Sequence, residues 1–115
     1  MPSLNMIISN NITVEKCKKL VSDISIIVSK CTGKPEKYVL VSVQGAELSM
    51  SGEKGNSAFV DIRSIGGLNA SVNRRISQEV CALIEKSVGI PAERVYLNFT
   101  DIPAGNWGWN GSTFG

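Results

Sequence analysis

Apolar residues recur along this 115-residue chain at two different spacings. Val14, Cys17, Val21, Ile24, Val28 and Cys31 advance by three and four residues, the period of one helix face, with Thr13 placed to serve as N-cap. Val72, Ile76, Val80, Leu83 and Ser87 repeat that period, with Asn69 or Ser71 as cap. Both helical patterns halt at a glycine, Gly33 or Gly89, and Pro35 or Pro91 two residues later prevents resumption. β-branched and aromatic runs then predict strands over 39–43 and 95–99. Shorter apolar runs predict strands over 4–9 and 58–64 ahead of the helices, and Leu48-Ser49-Met50 predicts a short extra strand.

The order β-α-β therefore occurs twice. Lys30-Cys31-Thr32-Gly33-Lys34-Pro35 and Lys86-Ser87-Val88-Gly89-Ile90-Pro91 are degenerate copies 56 positions apart. We expect a single α/β (α+β) domain over 1–115, with pseudo-repeats of about 2–50 and 57–115. They form a four-stranded sheet with both helices on one face. The strand runs are nearly continuous in apolar residues rather than alternating, which predicts a sheet covered on both faces. Two helices cover only one, so further copies of the chain are expected on the other.

Composition narrows the chemistry. The chain has no histidine, which excludes Ser-His-Asp and Cys-His nucleophilic sites, histidine-ligated zinc and imidazole acid–base catalysis. Twelve basic and ten acidic residues give a net charge of +2, with no electrostatic footprint for nucleic acid. Cys17, Cys31 and Cys81 have neither CxxC nor metal-ligand spacing and are expected as buried structural thiols in a reducing compartment. No metal or cofactor is implied. No apolar run reaches the ~18 residues of a membrane span, and the N-terminal residues carry no secretory pattern. The sequons at Asn11, Asn69, Asn98 and Asn110 are accordingly read as chance matches. Gly52-Glu53-Lys54-Gly55 and Gly66-Gly67 fit no phosphate-binding fingerprint and predict turns. Lys16, Lys18 and Lys19, like Arg74 and Arg75, predict solvated helix faces.

Pro2 is the residue with chemistry to offer. A small residue after an initiator methionine permits removal of that methionine, leaving proline with a free secondary amine on a rigid ring. Such an amine is ordinarily protonated at neutral pH. Burial at the start of an apolar strand, with Lys34 nearby, would lower its pKa and make it a base.

Met1-Pro2, Thr32-Gly33-Lys34-Pro35, Ser64-Ile65-Gly66-Gly67, Arg94-Val95-Tyr96-Leu97-Asn98-Phe99 and Asn106-Trp107-Gly108-Trp109-Asn110-Gly111-Ser112-Thr113-Phe114 follow one another in this order. From Pro2 to Phe114 this set closely resembles the macrophage migration inhibitory factor family of the tautomerase superfamily. The resemblance implies a homotrimer and a keto–enol tautomerase of the phenylpyruvate type, with dopachrome as a further substrate. It gives Pro2 the role of catalytic base and Lys34 that of binding the substrate carboxylate. Ile65 supplies a backbone contact and an apolar wall. The resemblance also implies that Tyr96 and Asn98 come from the neighbouring subunit and that Tyr38, Trp109 and Phe114 form an aromatic rim. An aryl keto acid needs such a cation, such a slot, a base beside its acidic carbon and donors for the enolate oxygen.

The resemblance also implies a second role, a cytokine-like protein that binds a cell-surface receptor and leaves the cytoplasm without a signal peptide. In two places the sequence departs from the family. Ser57-Ala58-Phe59-Val60 stands where some members have a CxxC tied to thiol oxidoreductase activity, which is therefore not expected here. Met50-Ser51-Gly52-Glu53-Lys54-Gly55 replaces the usual aromatic-Gly-Gly-Ser segment. Retention of Met1 would turn the Pro2 nitrogen into an amide, which is no base.

Overall fold

The computed structural model describes residues 1–9 and 12–115; the Asn11 sequon lies outside them. Strands β1 (Pro2–Ser9), β2 (Leu40–Ala46), β5 (Ala58–Ser64) and β6 (Val95–Asp101) form one sheet in the order β2-β1-β5-β6. β1–β2 and β5–β6 are parallel, and the two halves meet through the antiparallel β1–β5 pair, Pro2 opposite Ser64 and Ile8 opposite Ala58. Helices α1 (Val14–Thr32) and α2 (Ala70–Val88) connect the parallel pairs. The duplicated β-α-β order is thus observed, with β1, β2 and β6 running two or three residues beyond an expected limit and β2 starting one residue late.

The helix ends obey the local signals. Thr13 accepts a bond from the Lys16 amide and Asn69 from the Val72 amide, so Asn69 rather than Ser71 caps α2. Gly33 and Gly89 close the helices in the left-handed region, φ 73° and 75°, their amides bonded to the Ser29 and Glu85 carbonyls.

The buried stripes are rotated from those expected. In α1 the core takes Leu20, Ile24, Val28 and Cys31, while Cys17 and Val21 are half-buried and Val14 is 63% exposed. At 100° per residue Val14 lies about 80° around the helix from Ile24, on its flank. In α2 Ile84, not Leu83, joins Ile76 and Val80. These residues seal against Leu4, Met6, Ile8, Val60 and Ile62 from the sheet.

The opposite sheet face differs from the expectation of continuous apolar strands. β5 alternates strictly between buried and more open positions, and Ser42, Asn5, Asp61 and Asn98 form one polar row across all four strands. Only β1, central and paired on both edges, is buried along nearly its whole length. Leu40 and Tyr96 are each 66% exposed on this open side of the edge strands.

Two small hairpins complete the chain. β3 (Ser49–Met50) pairs with β4 (Glu53–Lys54), so the expected extra strand exists, and β7 (Gly108–Trp109) pairs with β8 (Ser112–Thr113). Both two-residue turns, Ser51-Gly52 and Asn110-Gly111, have positive φ at each position, matching the twist of tight hairpins. Arg94 organises the segment that departs from the family pattern. Its guanidinium, 15% exposed, donates to the carbonyls of Asn56, Met50, Glu53 and Gly55 and to the Glu53 carboxylate.

All three cysteines are free thiols; Cys31 is buried, while Cys17 and Cys81 are half-buried rather than fully enclosed. Burial, reinforced by a bond from its thiol to the Glu79 carboxylate (3.4 Å), pushes Cys31 up to about 11. At pH 8 about one Cys31 in a thousand is then a thiolate, so native alkylation should leave it unmodified until the protein unfolds. Mass mapping after iodoacetamide treatment checks this; rapid labelling of Cys31 in the folded protein contradicts it. For Arg94→Lys we expect a loss of about 2 kcal/mol in urea unfolding, because an ammonium cannot serve this planar array of acceptors. Fast amide exchange confined to residues 50–56 should accompany that loss.

Candidate active site

The central β1–β5 pair carries the start of the chain to the rim of the core. Pro2 is fully buried, and Met1 lies above it as the last half-covered residue before solvent. The stop of α1 and the turn after β5 converge on the same point. Ser29 Oγ donates to the Lys34 carbonyl (2.6 Å) and the Lys34 amide donates to Thr32 Oγ1 (3.3 Å), fixing where the lysine leaves the helix. Lys34 Nζ then donates to the Ile65 carbonyl at 3.0 Å. An ammonium has three donors, so two remain for another partner.

The Ile65 peptide is held on several sides. Ser64 Oγ donates to the Gly66 carbonyl (2.6 Å), the Gly66 amide to Asp101 Oδ1 (2.9 Å) and the Ile102 amide to the Ser64 carbonyl (2.9 Å). The Ile65 amide points the other way and donates to the Met1 carbonyl at 3.3 Å. One residue thus presents a carbonyl to the lysine and an N–H to the terminus.

Gly67 makes room for this arrangement. It sits at φ +80°, and a Cβ there would lie 3.1 Å from Lys34 Cε and 3.3 Å from the Thr32 carbonyl. Any side chain would push Lys34 away from Ile65.

The aromatic wall comes from the β7–β8 hairpin. Trp109 and Phe114 stack with centroids 5.8 Å apart and planes 12° apart, and the Phe114 amide closes the hairpin onto the Trp107 carbonyl (3.1 Å). A cavity of about 450 Å³ lies between these elements, lined by Met1, Lys34, Tyr38, Ile65, Trp109 and Phe114 together with Pro35 and Ala104. A second, of about 360 Å³, reaches Pro2 itself and is bounded by Met1, Tyr38, Trp107 and Trp109 among others.

The Met1 amine has a pKa below its ordinary value, first through burial and then through the charge of Lys34. The site can therefore hold a carboxylate at Lys34 and the Ile65 amide and an aromatic ring against Trp109 and Phe114. Burial and the charge of Lys34 both disfavour the charged form of the Met1 amine beside them. Among the described residues no cluster of acidic or thiol side chains has the grouping of a metal site.

Of the sequence-predicted residues, Pro2, Lys34, Ile65, Tyr38, Trp109 and Phe114 come together around these two cavities. Tyr96 and Asn98 do not join them within one chain. Both are exposed on β6, and Tyr96 pairs with Phe59 toward the end of β5 remote from Ser64. There it lines a separate cavity of about 220 Å³ with Leu48, Met50 and Phe59. Sequence reasoning missed Ala104 and Trp107 as wall residues; the Pro103 turn that presents Ala104 was the available signal.

Two β-α-β repeats around a central sheet, with a proline at the head of the first strand and a cationic and aromatic cavity above it, define the tautomerase-superfamily fold. The family model for macrophage migration inhibitory factor matches residues 1–115, and the chain belongs to that family. It is 36% identical over 96 residues to macrophage migration inhibitory factor of Xenopus tropicalis, an alignment covering 83% of this chain and 84% of the relative. The crystal structure of the macrophage migration inhibitory factor-like protein of Entamoeba histolytica superposes with a TM-score of 0.94 at 35% identity, covering 98% of each chain. The homologue from Prochlorococcus marinus gives 0.90 at 40% identity, over 98% of this chain and 99% of that one. Membership supports an enzyme of the isomerase class, and no helix among the described residues is long and apolar enough to cross a membrane.

Gly67→Ala tests the packing that seats Lys34. We expect a loss of about 1–2 kcal/mol in urea unfolding, from positive φ and displacement of the lysine. Gly105→Ala, in open space without positive φ, should unfold at the wild-type midpoint.

Proposed function

We propose that the chain, once Met1 is removed, is a keto–enol tautomerase acting on phenylpyruvate-type keto acids with the Pro2 nitrogen as general base. The observation that carries this reading is the pairing of a buried terminus with Lys34 and the Ile65 peptide at the edge of an aromatic cavity. Met1 stands in for substrate here: its carbonyl oxygen takes the Ile65 N–H that a substrate oxygen would take after excision.

In this mechanism the substrate carboxylate binds the free donors of Lys34 and the Ile65 amide, which orients the chain of the keto acid past Pro2. The Pro2 nitrogen removes a proton from the carbon next to the ketone. The carbon–hydrogen electron pair becomes the enol double bond, and the ketone oxygen takes up the charge. The proton held by proline then passes to that oxygen, giving the enol and restoring the amine. Trp109, Phe114 and Tyr38 hold the aryl group and exclude water, which keeps the amine uncharged between turnovers.

Tyr96 and Asn98 enter as residues lent to the pocket of a neighbouring copy in a homotrimer. Support comes from their exposure and from Leu40 and Tyr96 standing open on the two edge strands of the sheet. Native mass spectrometry should give three times the chain mass; a stable monomer removes this part of the proposal. Three free thiols suit a cytoplasmic, reducing setting. The relatives' name also motivates a second role in binding a cell-surface receptor, after export without a signal peptide. That role is separable from catalysis if binding survives loss of the base.

Pro2→Gly keeps an amine but loses the ring, and we expect kcat/KM for hydroxyphenylpyruvate to fall by about a hundredfold or more. Equal turnover refutes the mechanism, and N-terminal mass analysis must accompany the assay to establish that Met1 is absent. Activity should fall as pH drops through the pKa of the terminal amine, since only the neutral form accepts a proton. Lys34→Ala removes a charge that lowers that pKa, so the acidic limb should move to higher pH as KM rises.

A further inference from the structure

Lys37 lies outside every role assigned above. The two cavities at the terminus share Met1, Tyr38 and Trp109 in their walls. Excision of Met1 would remove one of these shared walls and open the two cavities toward each other beside Pro2, which borders the second. Lys34 stands in the first cavity and Lys37 in the second. Lys34 precedes Pro35 and Lys37 lies within the short turn Glu36–Tyr38, so three residues separate a lysine of one cavity from a lysine of the other.

Lys37 is exposed but has one contact. Its ammonium sits over the Tyr38 ring, 5.0 Å from the centroid, where the electron-rich face attracts a cation. The ion pairs among the described residues engage Lys19, Arg63, Arg75 and Arg94, and neither Lys34 nor Lys37 is in one. Between Lys37 and Pro2 the second cavity is bounded by Val39, Leu40 and Trp107, an apolar passage ending in a positive charge.

We propose that this site selects keto acids bearing a second anionic group at the end remote from the keto acid. Lys37 is the specificity-determining residue. The first carboxylate binds at Lys34, the apolar body crosses Pro2 between Tyr38 and Trp109, and the second anion reaches Lys37. The proposal rests on the tautomerase reading for the direction in which the substrate lies.

The test is a binding titration followed by tryptophan fluorescence, since Trp107 and Trp109 both border the site. It uses protein shown by mass to lack Met1, with phenylpyruvate and 4-carboxyphenylpyruvate as probes. Wild type should prefer the dicarboxylate by about fivefold, the scale of a partly exposed ion pair. Lys37→Gln should bring that preference close to one, and Lys37→Arg should retain it. Raising ionic strength from about 0.05 to 0.5 M should also erode the wild-type preference. An equal preference in wild type and Lys37→Gln, or none in wild type, overturns the proposal. Repeating the titration with Pro2→Gly separates the two readings: failure of the base assignment appears in turnover, failure of the Lys37 assignment in the affinity ratio.

Discussion

The β1–β5 pairing is the interaction on which the rest depends. By setting Pro2 opposite Ser64 it places the first strand at the centre of the sheet and its first residue against the Ser64–Gly67 turn. Chain termini usually fray at the surface because nothing offsets the entropy of ordering them. Here the terminus is ordered by the same ladder that joins the two repeats, so its position is as secure as the core.

Electrostatics follow from that placement. The α1 stop delivers Lys34 to the Ile65 carbonyl, and the Met1 amine lies partly buried within the field of that lysine. Both effects disfavour a charged amine, and both arise from backbone geometry rather than from an acidic or imidazole partner. The same economy holds at the other end of the sheet, where Arg94 replaces a hydrogen-bonded loop core by donating to the carbonyls of residues 50–56.

Much of the fold was legible because its signals are local. A glycine followed by proline ends a helix wherever it occurs, and Thr13, Asn69, Gly33 and Gly89 act through bonds spanning only three or four residues. The helix faces were less legible. Val14 and Leu83 fit the apolar period as well as Leu20 and Ile84 do, and only the tilt of each helix on the sheet chooses among them. The strands misled for a related reason: side chains alternate across a sheet, so Asn5, Ser42, Asp61 and Asn98 gather into one polar row only once the strand registers are set.

The site divides along the same line. The order of motifs, through its resemblance to a family, nominated Pro2, Lys34, Ile65, Tyr38, Trp109 and Phe114, and the structure gathers these six around two cavities. Sequence also determined the repeat, the caps and the absence of imidazole chemistry, all of which depend on identity and short spacing. The tertiary structure alone decided that Met1, Tyr38 and Trp109 border two cavities, that Gly67 must yield space to Lys34, and that the Lys37 ammonium sits over Tyr38. It also separated Tyr96 and Asn98 from the other site residues. These are distances between segments far apart in the chain, set by packing of the sheet against its helices, and no periodicity in the sequence encodes them.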